Sequence, residues 1–143
     1  MISKLKPSFL IFLLSVFVFP TLAQSTDHWE TILQTGDNCK YYIPKSDIGS
    51  NWKEKNFTDG GWITAQSGVG FGDDDDNTTI SKGTNSVYIR YSFNIKNLAQ
   101  ISSLVLDIDY DDGFIAYLNG KEIARDNVSN PVSWNMKLKG LHE

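Results

Sequence analysis

The 143-residue chain contains very little cysteine or histidine. It has one cysteine, Cys39, and two histidines, His28 and His142. A single cysteine excludes a disulfide framework within the chain, so Cys39 is either a buried free thiol or half of a bridge to another chain. The two histidines form no pair at metal-ligand spacing, which argues against a zinc site of the usual kind.

The chain also lacks an excess of positive charge. Its 13 Lys and Arg residues stand against 17 Asp and Glu residues, and the net charge is −4. Nucleic-acid binding requires a basic surface, so we expect no nucleic-acid partner. The sequence has neither a phosphate-cradling glycine loop with its lysine nor a nucleophile elbow. We therefore predict that this chain is not an enzyme by itself.

The longest apolar run lies at the amino terminus and is too short for a transmembrane helix. Lys4 and Lys6 precede the apolar residues 9–19, and Pro20 ends the run. A spanning helix needs about 20 apolar residues. Charged, apolar and then small residues, ending at Ala23, are typical of a secretory signal peptide. We predict that residues 1–23 are removed, leaving a secreted or cell-surface protein without a transmembrane span.

Two patterns in the second half of the chain predict antiparallel strands. Residues 87–95 and 103–110 alternate between apolar and polar side chains, which is the period of a strand with one solvated face. Asn119-Gly120 separates the apolar-patterned runs 114–118 and 121–125. Because both residues tolerate positive φ, this pair predicts a two-residue hairpin turn.

The first half of the sequence is less regular. Residues 29–33 and 40–43 are predicted strands on either side of a turn at 35–38. Residues 50–62 are predicted to form a long loop, in which Trp52 and Trp62 pack onto the core. Many short strands separated by turns predict an all-β fold, a sandwich or jelly roll formed by residues 24–143.

Several segments occur in an order that resembles a known module. They are Asn51-Trp52, Phe57–Trp62, Gly68–Asp74, Val87–Arg90 and Asp109–Gly120. Together they resemble the galactose-binding-like β-sandwich at the amino terminus of CotH-type, spore-coat kinase-like proteins of bacteria. The resemblance implies that the closing strands of the sandwich, and any kinase-like domain, lie beyond residue 143. No kinase-like catalytic residue is matched within the chain.

Four consecutive carboxylates, Asp73–Asp76, follow a glycine-rich segment. Calcium takes 6–8 oxygen ligands, so such a loop is a candidate calcium site. Asp73 and Asp75 are the predicted ligands, because alternate side chains of an extended loop lie on the same face. The alternative is a solvated acidic turn without a metal.

Trp134 and Arg90 are the candidate ligand-binding residues. A tryptophan ring offers a flat apolar face with a polar edge, which suits stacking against a sugar. Arg90 is either a ligand contact or the partner of Asp107 or Asp109 in a cross-strand ion pair. For Trp134 the sequence gives no preference between packing and binding.

These observations predict a non-catalytic accessory module that binds a cell-surface or extracellular glycan, or that positions downstream domains of the same polypeptide. Two alternatives remain open. The chain is the amino-terminal part of a secreted enzyme, such as a CotH-type kinase or a metallophosphoesterase, with its catalytic domain beyond residue 143. Otherwise the chain is a structural spacer that binds no ligand.

Overall fold

The computed structural model describes residues 28–72, 75–136 and 138. The chain divides into two compact units, Met1–Glu30 and Thr31–Glu143. The described residues of the first unit, 28–30, form no helix or strand, and Trp29 is 76% exposed. The predicted signal peptide at 1–23 lies outside the described residues. Within the described part of the chain, no helix has both the length and the apolar character needed to cross a membrane.

The second unit consists of short strands with almost no helix, so the chain belongs to the all-β class. Two single-turn 3-10 helices are described, at Asn51–Lys53 and Leu98–Gln100. The described strands are β1 (Asn38–Tyr42), β2 (Ile63–Gln66), β3 (Val69–Gly70), β4 (Thr78–Thr79), β5 (Tyr88–Arg90), β6 (Phe114–Leu118) and β7 (Lys121–Asp126).

A three-stranded antiparallel sheet, in the order β2-β1-β5, forms the centre of this unit. Tyr42 lies opposite Tyr88, and Lys40 lies opposite both Arg90 and Thr64. Directly opposed residues of antiparallel strands point to the same face, so these five side chains share one face of the sheet. We call it the aromatic face.

The opposite face of β1 carries Cys39, which is only 3% exposed. The cysteine is a free thiol, and its burial raises the pKa of the thiol. A raised pKa keeps the sulfur protonated and unreactive at neutral pH. The structure therefore agrees with the buried-thiol interpretation of Cys39.

The structure corrects three strand predictions. Residues 29–33 and 103–110 form no strand, and only Tyr88–Arg90 of the predicted strand 87–95 is paired. A strand needs a neighbour to satisfy its backbone groups, and residues 103–110 pair with no strand in the described part of the chain. Their apolar side chains are accordingly exposed, from 40% at Ile108 to 70% at Val105.

The predicted hairpin is confirmed. β6 and β7 pair antiparallel, with Leu118 opposite Lys121, so that Asn119 and Gly120 form the turn. Both turn residues have positive φ, +51° and +86°, as a two-residue turn of the I′ type requires. The tip of the hairpin lies against the 50–62 loop, where the Glu54 carboxylate lies close to Gly120.

Replacement of Gly120 should therefore destabilise the protein through its backbone conformation. A side chain at this position meets an unfavourable positive φ, whereas the Glu54 carboxylate, 2.5 Å from the would-be Cβ, is the end of a flexible side chain and can move away. We expect Gly120→Val to lower the free energy of unfolding by about 2 kcal/mol, the cost of strained backbone. Chemical denaturation followed by circular dichroism measures this loss.

Two other glycines test this explanation. Gly49 has a φ of +74° with no atom near its would-be Cβ, whereas Gly60 has neither a positive φ nor a close neighbour. Gly49→Val should show the backbone cost alone, and Gly60→Val should be nearly neutral. If Gly60→Val is as harmful as Gly120→Val, the explanation by turn geometry is wrong.

Candidate functional site

The 50–62 loop covers the aromatic face of the sheet. The Trp52 ring stacks on Tyr88 with centroids 4.5 Å apart, and the Trp62 ring stacks on Tyr42 at 5.5 Å. Phe57 meets Trp62 edge to face at 5.7 Å. These rings are half-buried against one another, as the packing interpretation of Trp52 and Trp62 predicted. They therefore contribute to the packing of the loop on the sheet.

Arg90 fastens this loop to the sheet. Its guanidinium donates to the backbone oxygens of Trp52 and Glu54 and to the Asp59 carboxylate at 3.2 Å, and it lies over the Phe57 ring at 5.2 Å. The side chain is only 14% exposed. The structure thus gives Arg90 a partner on the loop, and the predicted pairing with Asp107 or Asp109 is wrong because those residues lie on no neighbouring strand.

Asp59 joins two cations of the aromatic face. Its carboxylate lies 2.6 Å from Lys40 Nζ and 3.2 Å from Arg90 Nε, and it is 21% exposed. The hydrogen bond from Lys40, followed by the one from Arg90, lowers the pKa of Asp59 despite partial burial. The anionic form is therefore the one that fits the folded state.

This lowered pKa predicts a pH dependence of stability. When the folded pKa lies below the unfolded one, the stabilisation is complete above the unfolded pKa of about 4 and is lost as the pH falls toward the folded value. Asp59→Asn lacks this contribution at any pH. We expect the difference in urea midpoint between wild type and Asp59→Asn to be constant near neutral pH and to shrink in acid.

Asp107→Asn, which removes the same charge from an exposed site, controls for the change in net charge. A difference between wild type and Asp59→Asn that keeps its full size through acid conditions would contradict the assignment of Asp59 to these ion pairs.

Trp134 lies at a shallow cavity of about 280 Å³, which we call the Trp134 groove. Three separate parts of the chain form its walls: a segment after β1, the connection between β4 and β5, and the turn that carries the tryptophan. The lining residues are Ile43, Pro44, Ser81, Lys82, Gly83, Thr84, Asn85, Ser86 and Trp134.

One turn and one side-chain hydrogen bond position Trp134 at the groove. The Met136 N–H donates to Ser133 O at 3.1 Å, which places Trp134 on a tight turn. The Ser86 hydroxyl donates to the Trp134 backbone oxygen and ties this turn to the residues that precede β5. Because this bond is made by the backbone oxygen of Trp134, it does not involve the indole side chain.

The groove also carries the amide of Asn85 and the hydroxyl of Ser81, and both residues are exposed to solvent. A primary amide and a hydroxyl both donate and accept, so they match the hydroxyl groups of a sugar. Sequence reasoning selected Trp134 and missed these residues, although the Ser81–Thr84 stretch has the glycine typical of a turn.

The acidic run lies on the loop that connects β3 with β4. The two strands pair in parallel, with Val69 opposite Thr78, and the Asn77 amide donates to Ser67 O at 2.8 Å. The loop is therefore closed at its base. Asp73 lies outside the described residues, and Asp75 is exposed. Among residues 28–72, 75–136 and 138, no group of three or more His, Cys, Asp or Glu residues is arranged to hold a metal ion.

The calcium hypothesis therefore remains a prediction. A cation that binds only the folded state stabilises it by about 2.7 kcal/mol at 100 times its Kd. We expect calcium to raise the melting temperature more than sodium at matched ionic strength, and magnesium to act weakly because it demands tight octahedral geometry. The combined variant Asp73→Asn with Asp75→Asn should lose this increase.

The matched control removes two other adjacent carboxylates, by Asp111→Asn with Asp112→Asn, and should keep the calcium response. An equal rise in melting temperature with sodium and calcium would contradict the calcium hypothesis and favour the alternative, a solvated acidic turn without a metal.

The structure separates the two predicted ligand-binding residues. Arg90 fastens the loop and is not among the residues that line the groove, whereas Trp134 lines it together with exposed polar side chains. The groove is thus the described depression that contains a predicted ligand-binding residue. Comparisons with protein-family models, with curated proteins and with solved structures found no match for this chain.

Proposed function

We propose that this chain is a secreted, non-catalytic accessory module that binds a carbohydrate in the Trp134 groove. The observation that carries the proposal is the composition of the groove, in which the Trp134 indole lies in one depression with the exposed amide of Asn85 and the exposed hydroxyl of Ser81. An aromatic face and a few well-placed amide and hydroxyl groups are what a pyranose ring requires.

The size of the groove supports a small ligand. Pockets for drug-sized molecules range from about 300 to 1,000 Å³, and the Trp134 groove, at about 280 Å³, lies just below that range. We therefore infer that it takes one sugar unit of an extracellular or cell-surface glycan. A shallow site with few polar contacts predicts weak binding, with a Kd near 1 mM, or about −4 kcal/mol.

The rest of the proposed architecture follows the resemblance to galactose-binding-like modules. In this proposal the strands belong to a jelly-roll sandwich, and the module positions further domains of a larger polypeptide. The described β-rich fold is compatible with that arrangement, and the exposed apolar side chains of 103–108 provide surface for further packing.

A titration of the full chain with D-galactose, followed by ¹⁵N–¹H NMR, tests the proposal. We expect shifts concentrated on residues 81–86 and on the Trp134 indole N–H. Trp134→Ala should abolish them, while Trp134→Phe should keep part of the affinity because a ring remains. The dispersion of the spectrum reports whether each variant is folded.

Trp29→Ala provides the matched control, since Trp29 lies outside the groove and is 76% exposed. It should bind galactose as the wild type does. Shifts that cluster elsewhere, or that survive in a folded Trp134→Ala variant, would refute the assignment of the site to the groove.

A further inference from the structure

One lining residue of the Trp134 groove, Lys82, sets its charge. It is the only charged residue among the nine that line the groove, although the chain as a whole has a net charge of −4. Lys82 is exposed and forms no ion pair with any described residue, which is equally true of lysines outside the groove such as Lys45 and Lys55. What distinguishes Lys82 is its place in the lining, where it gives the groove one solvated positive charge.

The backbone fixes the position from which Lys82 extends. The Thr84 N–H donates to Ser81 O at 3.2 Å, and the Thr84 hydroxyl donates to the same oxygen at 2.7 Å. Gly83 has a φ of +86°, so Lys82 and Gly83 occupy the two central positions of a turn that needs glycine at the second. Lys82 is thus held at the edge of the groove by a hydrogen-bonded turn.

The groups around Lys82 complement different parts of one ligand. An ammonium group forms charge-assisted hydrogen bonds with a carboxylate, and these are stronger than bonds between neutral groups. The Asn85 amide and the Ser81 hydroxyl can bind sugar hydroxyls, and Trp134 can cover the face of the ring. A neutral hexose satisfies the amide, the hydroxyl and the indole but leaves the lysine without a partner.

We propose that the groove prefers a sugar that carries a carboxylate, a hexuronic acid, and that Lys82 determines this preference. The inference rests on the proposed carbohydrate-binding function and specifies its ligand class. A lysine at the edge of an open groove remains hydrated, so its contribution is that of an exposed ion pair. We expect a preference of about fivefold, near the upper limit for such pairs.

The experiment compares three probes of similar shape on the full chain: D-galacturonic acid, its methyl ester and D-galactose. NMR titration at neutral pH and low salt should show that the acid binds about fivefold more tightly than the ester or galactose. Added salt should reduce this preference, because screening weakens exposed charge pairs.

Lys82→Gln keeps a polar side chain and removes the charge. It should bring the three affinities within about twofold of one another. Lys45→Gln removes a lysine next to Pro44 that does not line the groove, and this matched control should keep the preference.

The outcomes distinguish a failure of the hexuronic-acid preference from a failure of the carbohydrate-binding proposal. If galactose binds in a Trp134-dependent way but the acid binds no better than its ester, or if Lys82→Gln keeps the preference, the inference is wrong and the carbohydrate site stands. If none of the three sugars shifts the groove resonances, the carbohydrate-binding proposal fails, and the role of Lys82 fails with it.

Discussion

Trp62→Ala should lower the free energy of unfolding by about 3 kcal/mol, as truncation of a packed tryptophan does. The Trp62 ring contacts four other rings, at centroid distances of 5.5 Å to Tyr42, 6.2 Å to Trp52, 5.7 Å to Phe57 and 6.5 Å to Tyr88. Two of these rings belong to the sheet and two to the 50–62 loop. The truncation therefore opens a cavity at the place where the loop meets the sheet.

Urea denaturation followed by tryptophan fluorescence and far-ultraviolet circular dichroism measures the loss. Trp62→Phe should recover part of it, since a smaller ring keeps some of these contacts. Trp29→Ala is the matched control for removing a tryptophan, and it should change stability by less than about 0.5 kcal/mol because its ring is exposed. Equal losses in Trp62→Ala and Trp29→Ala would show that the ring cluster does not support the fold.

Local sequence signals predicted the hairpin correctly because its cause is local. Asn119 and Gly120 adopt the positive φ values that the turn requires, and neither depends on distant residues. The single helical turn at Leu98–Gln100 has a similar origin, with the Asn97 side chain accepting from the Ala99 N–H. Short-range geometry of this kind can be read directly from a sequence.

The aromatic face was mispredicted because its cause is long-range. Alternation assigned Arg90 to a solvated face, yet a loop 30 to 40 residues earlier in the chain covers that face. Two signs of this packing were present in the sequence. Tyr88 is an aromatic residue at a position where the alternation of the strand predicts a polar side chain, and the loop contains two tryptophans. Periodicity reports which residues share a face, but it does not report what covers that face.

The Trp134 groove illustrates the same limit at the level of function. Its lining comes from residues 43–44, 81–86 and 134, which are separated by more than 35 residues at each step. The sequence identifies a tryptophan suited to sugar stacking, but only the fold brings the amide, the hydroxyl and the lysine beside it. The sequence therefore allowed the chemistry of single residues to be predicted, but it did not show which residues come together to form the site.

The loop should also depend on Arg90, and we expect Arg90→Met to lower the free energy of unfolding by about 3 kcal/mol. Methionine keeps much of the apolar stem but removes the donors that serve Asp59 Oδ2 at 3.2 Å and Glu54 O at 3.2 and 3.3 Å. Asp59 Oδ2 and Trp52 O are part-buried, and the loss of a donor costs about 1–3 kcal/mol for each such acceptor, whereas the exposed Glu54 O can bond to water instead. Trp52 O loses its donor as well.

Arg90→Lys distinguishes the shape of the guanidinium from its charge. A lysine can still pair with Asp59, but its single nitrogen cannot also reach both backbone oxygens, so we expect it to restore less than half of the lost stability. Arg125→Met is the matched control, because Arg125 likewise pairs with a carboxylate, Glu122, and donates to a backbone oxygen, Val128 O, but these partners lie within five residues of it and the ion pair is more exposed than that of Arg90 and Asp59. That variant should lose less than about 1 kcal/mol. Full recovery in Arg90→Lys would mean that charge alone, and not the forked hydrogen bonding of Arg90, holds the loop on the sheet.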